Sequence, residues 1–223
     1  MNHSFFTKLL GVNILYKPIK IGRRHFGTNL WYAYSPKLKR TVQLHGDLEH
    51  DHWVLVELNP HVKTFCEHPS EMFDMWILWQ DGSESFVEVS YPEPDQSSNA
   101  QTQEGKFLFQ KAWCLERGYK YEHMTEAIIR KNLLYLDNAK QIIKFVSNRP
   151  QPVETDYFQI HKTLYENTSM RIDQLQSIYS HIPRSRIFEA ISWMYYRGEI
   201  IADLYKKPLK EIEVVFNGKK ESH

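Results

Sequence analysis

Cysteine is scarce in this chain. Cys66 and Cys114 are the two in 223 residues, too few for a disulfide framework or a four-cysteine zinc site. No apolar run approaches the ~18 residues of a membrane span, so no membrane partner is expected. The opening stretch has short apolar runs and no small-residue cleavage site. It does not read as a secretory leader, and a reduced, cytoplasmic location is the expectation. Glycine-rich phosphate loops are missing: neither Gly-x-x-x-x-Gly-Lys-(Ser/Thr) nor Gly-x-Gly-x-x-Gly occurs, which argues against binding of ATP or a dinucleotide. His45, His50, His52, His61 and His68 crowd one stretch, but without His-Glu-x-x-His spacing they read as loop and surface histidines. The alternative is that His50 or His52 faces a phosphate.

Acidic residues are absent from residues 1–44, which carry eight cations: Lys8, Lys17, Lys20, Arg23, Arg24, Lys37, Lys39 and Arg40. Residues 45–104 reverse this, with thirteen carboxylates and Lys63 alone against them. The net charge of +1 is a balance of opposed blocks. Cations suit nucleic-acid phosphate, and clustered carboxylates suit a divalent metal, so a nuclease fits the pattern. A solvated basic terminus is the plainer alternative.

The order of elements predicts an α/β (α+β) domain with a mixed sheet. Leu30–Tyr34 and Arg40–Leu44 alternate as short strands, and 47–58 reads as a helix stopped by Asn59-Pro60, with Leu48, Asp51/His52 and Leu55 on one face. Val62–Glu67 is a strand candidate ended by Pro69. Phe73–Trp79 and Glu84–Ser90 flank Gln80-Asp81-Gly82-Ser83, a hairpin turn. Residues 92–103 are polar and read as a mobile loop. A helix over Phe107–Arg117, a strand over Tyr119–His123, a helix capped by Thr125 and a helix over Leu133–Ser147 complete this part. Asn148–Pro152 reads as a linker. Beyond it come helices at Tyr157–Tyr165, Ile172–Tyr179 and Arg184–Tyr196, then Ile200–Leu204 and Ile212–Phe216 around a Lys206-Lys207-Pro208 tip. Three helices and a hairpin describe a winged helix, whose third helix presents Arg184, Ser185 and Arg186 to DNA or docks a protein. Trp76, Trp79, Phe86 and the Tyr195-Tyr196 pair read as core rather than as stacking platforms for bases.

Three carboxylates have the spacing of a metal site: Glu49 on the first helix, Asp74 on the first hairpin strand and Glu88 on the second. A hard divalent cation takes oxygen ligands, lowers the pKa of an attacking water and neutralises charge developing on a scissile phosphate. The geometry demands a register. A two-residue turn pairs Asp74 with Val89 and turns Asp74 and Glu88 to opposite faces. Only an odd loop such as Asp81-Gly82-Ser83, or a bulge, lets them converge. The alternative is a solvent-facing Glu88 and a turn residue at 74.

These motifs together resemble a TnsA-type transposon-end endonuclease. Gly46-Asp47-Leu48-Glu49-His50-Asp51 resembles that family's Glu-Ser-x-x-Glu-x-Asp helix start, and Glu57-Leu58-Asn59-Pro60-His61-Val62 its Glu-x-(Asp/Asn)-Pro-x-Val. Phe65-Cys66-Glu67-His68-Pro69 is similar to aromatic-x-Glu-Gln-Pro, Phe73-Asp74-Met75 to Pro-Asp-Phe, and Val87-Glu88-Val89-Ser90 to Val-(Glu/Gln)-Val-Lys. Arg117-Gly118-Tyr119, Thr125-Glu126 and Asn138-Ala139 extend the likeness, which runs from about residue 20 to the C-terminus.

The resemblance implies a basic arm with the first strands over 1–44, a restriction-endonuclease-like catalytic domain over 45–148 and a winged helix over 153–218. It implies cleavage of the 5′ ends of a transposon, with a TnsB-type transposase at the 3′ ends and a TnsC-type AAA+ ATPase as regulator. The expected location is then a bacterial cytoplasm, at the nucleoid when active. Glu49, Asp74 and Glu88 become ligands of Mg²⁺ or Mn²⁺, and Arg23, Arg24, Lys37, Lys39, Arg40, Arg184 and Arg186 the contacts to transposon-end double-stranded DNA. Ser90 stands where the family has its lysine, His68 where it has Gln and Phe73 where it has Pro. Losing that cation affects general acid–base assistance typically worth about 10²–10⁴-fold. Lys106 or Lys111 on the next helix is a possible substitute. Two readings follow: an active endonuclease subunit, or an impaired subunit that bridges DNA, transposase and ATPase. A third is a restriction or repair nuclease acting alone.

Overall fold

The computed structural model describes residues 16–20, 29–91 and 100–218, with side chains of 100–102 excepted. Arg23, Arg24 and most of the polar loop expected before the third helical segment lie outside the described residues. Among the described residues the fold is mixed α and β, with helices, a mixed sheet and two smaller sheets. None of these helices is long and apolar enough to cross a membrane.

Packing divides the chain into two compact units. One contains the described residues up to Ala33 together with Thr41–Trp53 and His61–Lys131; the other contains Tyr34–Arg40, Val54–Pro60 and the described residues from Asn132 onward.

Strands β1 (Leu30–Ser35) and β2 (Arg40–His45) pair; Tyr34, Ser35 and Arg40 belong to the second unit and the strands' other residues to the first. Gly46, at φ 101°, ends β2 in a conformation that costs glycine little. Helix α1 (Asp47–Leu58) follows, with Asp47 and Glu49 in its first turn where the helix dipole favours carboxylates. It is more enclosed than its sequence suggests: Trp53, Val54, Val56 and Leu58 are buried, and Leu55 is less so. Its residues through Trp53 belong to the first unit and 54–58 to the second, and its burial is wider than one apolar stripe.

The main sheet has the order β3 (Val62–Ser70), β4 (Phe73–Trp79), β5 (Glu84–Ser90), β6 (Lys120–Thr125). The first two pairings are antiparallel and the third is parallel. Helix α2 (Ala100–Glu116) makes the crossover that a parallel pair requires. It starts seven residues earlier than the apolar pattern indicates, because its first turns carry exposed Glu104 and Gly105 and need no apolar face. Cys66, Phe73, Trp76, Leu78, Phe86 and Cys114 form a buried cluster, with Trp113 and Tyr121 packed against it. A short helix α3 (Glu126–Ile129) ends the unit; Thr125 holds its N-cap position in extended backbone, but its hydroxyl makes no capping bond.

The β4–β5 register is decisive. Met75 pairs with Val87, Trp76 with Phe86, Ile77 with Ser85 and Leu78 with Glu84. Continued outward, this register sets Asp74 opposite Glu88, on one face. Continued inward, it closes on Trp79 and Ser83, whose backbones bond at 2.9 Å, leaving Gln80, Asp81 and Gly82 as the turn. The loop is odd, as a shared face requires, though one residue earlier than the Asp81–Ser83 choice. Gly82 sits at φ 82° in the position such loops reserve for glycine.

Strand β3 continues through Pro69 instead of ending there. Glu67 pairs with Met75 and Ser70 with Phe73, so His68 and Pro69 together face Asp74. This two-against-one bulge accommodates a proline and leaves His68 at φ 46°.

The second unit contains helices α4 (Leu133–Asn148), α5 (Glu154–Asn167), α6 (Ile172–Ile178) and α7 (Arg184–Tyr196). Its sheet has the order β7 (Ser169–Arg171), β9 (Glu213–Phe216), β8 (Ile200–Ala202). The sequence predicts a two-stranded hairpin here; the third strand, three-residue β7, carries too little pattern to read. Helix α4 packs within this unit, whereas the composition-based boundary at 148–153 assigns it to the preceding domain. Its buried stripe of Leu136, Ala139, Ile142, Ile143 and Val146 explains why. Asn138 adds bonds to the carbonyls of Leu204 and Lys207 at 2.9 and 2.8 Å and accepts from Leu209 N–H at 2.8 Å.

Glu57, fully buried, anchors the segments that join this unit early in the chain. Its carboxylate accepts from Ser35 Oγ at 2.6 Å, Lys37 N–H at 3.0 Å and Tyr196 OH at 2.6 Å. Glu57→Ala strands these donors and is expected to lower stability by roughly 3–5 kcal/mol in urea unfolding, with Glu57→Gln milder. Gly82→Ala meets open space, so only its backbone conformation is strained. The expected loss is about 1–2 kcal/mol, smaller for Gly82→Asn, in the same measurement.

Candidate active site

Asp74 and Glu88 are both buried in the first unit. Asp74 Oδ2 accepts from Val89 N–H at 2.8 Å, across the β4–β5 pair. Glu88 Oε1 accepts from Lys106 Nζ, and Oε2 from Gln110 Nε2 at 2.8 Å. Lys106 and Gln110 are four apart on α2, so one helix face presents both. Gln110 is itself oriented: Tyr121 OH donates to its Oε1 at 2.8 Å and its amide also donates to Met72 O. Burial, and then the Asp74 charge, push the Glu88 carboxyl above its ordinary value, with Lys106 and Gln110 opposing.

Glu49 comes from the first turn of α1. Its Oε2 accepts from His45 N–H at 2.8 Å and lies 3.3 Å from His68 Nε2. Glu49, His68 and Asp74 each offer a ligand atom, all within 4.8 Å of one another. Of the three predicted carboxylates, Glu49 and Asp74 thus converge with a histidine, while Glu88 faces Asp74's side of the sheet in the grip of Lys106 and Gln110. The donor set of two carboxylates and an imidazole, with a third carboxylate beside it, suits a divalent cation.

Ser90, at the expected lysine position, exchanges a hydrogen bond of 2.7 Å with His123 Nε2 on the neighbouring strand. The His123 ring lies 4.1 Å from that of Phe107, and burial followed by the Lys106 charge pulls its pKa down. Lys106 therefore brings a cation to this end of the sheet from a helix; Lys111 is simply exposed.

The expected DNA contacts have unequal surroundings. Lys37 has partners within its own unit: its ammonium donates to Glu57 O at 2.6 Å and sits 5.2 Å from the Tyr196 ring centre, and burial lowers its pKa. That makes it a structural cation of the second unit. Lys39 is exposed at φ 55°, and Arg40 opens β2. Arg184 is exposed over the Phe188 ring, whereas Arg186 pairs with Asp156 at 2.5 Å.

His68 and Gln110 are the site residues that sequence reasoning misses. His68 has a signal, since it replaces the Gln of the resembled Glu-Gln-Pro motif. Gln110 has none, because a lone Gln in an amphipathic helix is unremarkable. Comparison with known protein families and with curated proteins finds no match to this chain.

His52, on α1, is fully buried and its Nδ1 makes no hydrogen bond. Burial pushes its pKa from 6.5 down to about 4, against the pull of Asp74. The unfolded chain binds the extra proton between these values, so this stability is full above pH 6.5 and drains as pH falls toward 4. The loss is on the order of 3 kcal/mol. Melting curves from pH 7 to 4 should show the decline, and His52→Leu should flatten it.

Proposed function

We propose that this chain is a metal-dependent DNA endonuclease subunit of a cut-and-paste transposase, resembling TnsA and cleaving the 5′ strands at transposon ends. The observation that carries this reading is the convergence of Glu49 and Asp74, with Glu88 beside them, at one end of a mixed sheet. A restriction-endonuclease-like site combines a helix Glu, a strand Asp and a Glu followed two residues later by a Lys; this chain has the first three, with Ser90 at the fourth position. The helix crossover between parallel β5 and β6 fits that architecture. A bound Mg²⁺ or Mn²⁺ supplies a water of lowered pKa and neutralises charge on the scissile phosphate.

In this reading Asp74 and Glu49 hold the cation. Glu88 completes the negative field, and Gln110 fixes its orientation. Lys106, 44% exposed and bonded to Glu88, provides the positive charge for the phosphate that Ser90 does not. The order α5, β7, α6, α7, β8, β9 supports a winged helix, with exposed Arg184 at the start of its third helix as the better DNA contact. A TnsB-type transposase and a TnsC-type ATPase are the partners this reading calls for.

A second reading, an assembly subunit without cleavage, is favoured by one observation: Ser90 is engaged with His123 and offers no cation. Strand-specific cleavage of labelled transposon-end DNA, with the cognate transposase and Mg²⁺ or Mn²⁺, separates the two. The proposed nuclease cuts the 5′ strand; Asp74→Asn abolishes the cut, and Lys106→Ala slows it about 10²–10⁴-fold. An uncut 5′ strand, with Asp74→Asn transposing like wild type, establishes the assembly role instead.

A further inference from the structure

His68 is an odd residue to bury. Its side chain is 3% exposed, and neither ring nitrogen makes a hydrogen bond. An imidazole taken out of water without a hydrogen bond is costly to bury. Its polar surroundings are a carboxylate and a second imidazole: Nε2 lies 3.3 Å from Glu49 Oε2, an ion-pair distance without hydrogen-bond geometry, and the nearby His45 ring stands edge-on at 5.0 Å. The β3 bulge brings His68 opposite Asp74, and one of its nitrogens falls within 4.8 Å of ligand atoms of both Asp74 and Glu49. The unsatisfied lone pair and the two carboxylates share one small space. A cation there takes the imidazole lone pair and offsets the charge of the two carboxylates.

We propose that His68 is a metal ligand, and that Glu49, His68 and Asp74 form a two-carboxylate, one-imidazole site selective for a divalent first-row transition metal over Mg²⁺. The proposal rests on the metal-site reading above but does not depend on what the chain cleaves. Its chemistry is that of donor softness. Mg²⁺ prefers oxygen ligands and keeps its waters, whereas imidazole nitrogen binds Mn²⁺ and the later metals with growing strength. Glutamine, the residue this position has in the resembled motif, offers an amide oxygen with no such preference. The change from Gln to His therefore alters which cation the pocket takes, without altering the carboxylates.

The test uses the full chain, stripped of metal, with Mn²⁺ and Mg²⁺ titrated calorimetrically. Pulsed electron paramagnetic resonance of the Mn²⁺ complex reads coupling to imidazole ¹⁴N. Wild type is expected to bind Mn²⁺ tighter than Mg²⁺ and to show that coupling. His68→Gln should weaken Mn²⁺ by about 10–100-fold, change Mg²⁺ by less than about 3-fold and lose the nitrogen signal. Asp74→Asn should weaken both ions. The nitrogen signal is read on wild type, so misfolding of a variant does not remove the test. Wild-type Mn²⁺ binding that Asp74→Asn abolishes, with no ¹⁴N coupling or with coupling that survives His68→Gln, overturns the role of His68 and leaves the carboxylate site standing. Binding of neither ion by wild type overturns both.

Discussion

The length of one turn governs the candidate site. Side chains on a strand alternate, so the parity of the β4–β5 loop decides whether Asp74 and Glu88 meet or part. Gln80-Asp81-Gly82 makes the loop odd, and Gly82 supplies the left-handed residue that closes it. With that register set, Asp74 reaches the Val89 amide, Glu88 turns toward α2, and the Glu49 of α1 meets the β3 bulge. The bulge works in the same way on the other side of Asp74. One extra residue in β3 presents His68 to Asp74, where a regular ladder pairs each residue with one partner.

The acidic block therefore does not act as a block. Helix α1 alone sends carboxylates to three environments. Glu49 joins the candidate metal centre. Asp51 takes Arg130 Nε at 2.8 Å, an arginine shared with Glu126. Glu57 gathers Ser35, Lys37 and Tyr196. The last two are buried charges or polar groups with matched donors, the usual condition for keeping them. At the centre the matching is incomplete: Glu88 has Lys106 and Gln110, yet burial and Asp74 still disfavour its ionised form, and the His68 ring makes no hydrogen bond. Carboxylates held close in low-dielectric surroundings repel, and a cation relieves that repulsion. What sets this place apart is that the group without a hydrogen bond, the His68 ring, lies among carboxylates able to share a cation with it.

Much of the fold was legible because local rules and tertiary structure agree. The limits of α1, β4, β5 and α7 match those read from the sequence, each being bounded by Gly, Pro or a turn pair. Failures occurred where local chemistry is silent. The polar start of α2 has no apolar face to reveal it, β7 is too short to alternate, and the Pro-rich segment after α4 mimics a domain boundary inside a unit. At the site, Glu49, Asp74 and Glu88 were legible by spacing and by resemblance. Lys106 was one of two candidates that only the helix phase separates. His68 depends on a bulge, and a bulge requires knowing both strands at once.

A lysine two residues after Glu88 would share its strand face and reach the same pocket from the sheet. Ser90 cannot, and its hydroxyl is instead tied to His123. Lys106 approaches from α2, four residues before the Gln110 that holds the other Glu88 oxygen. Coulomb interaction depends on where a charge lies, not on which element carries it. A helix lysine pinned to Glu88 at one end of the sheet can therefore fill the electrostatic part of a strand lysine. What changes is its tether: the long, half-exposed side chain is positioned by Glu88 itself, so the carboxylate and the cation form one unit beside Asp74. In the proposed nuclease, replacing either member of that pair disturbs the other, whereas a strand lysine and its carboxylate are held separately by the backbone they share.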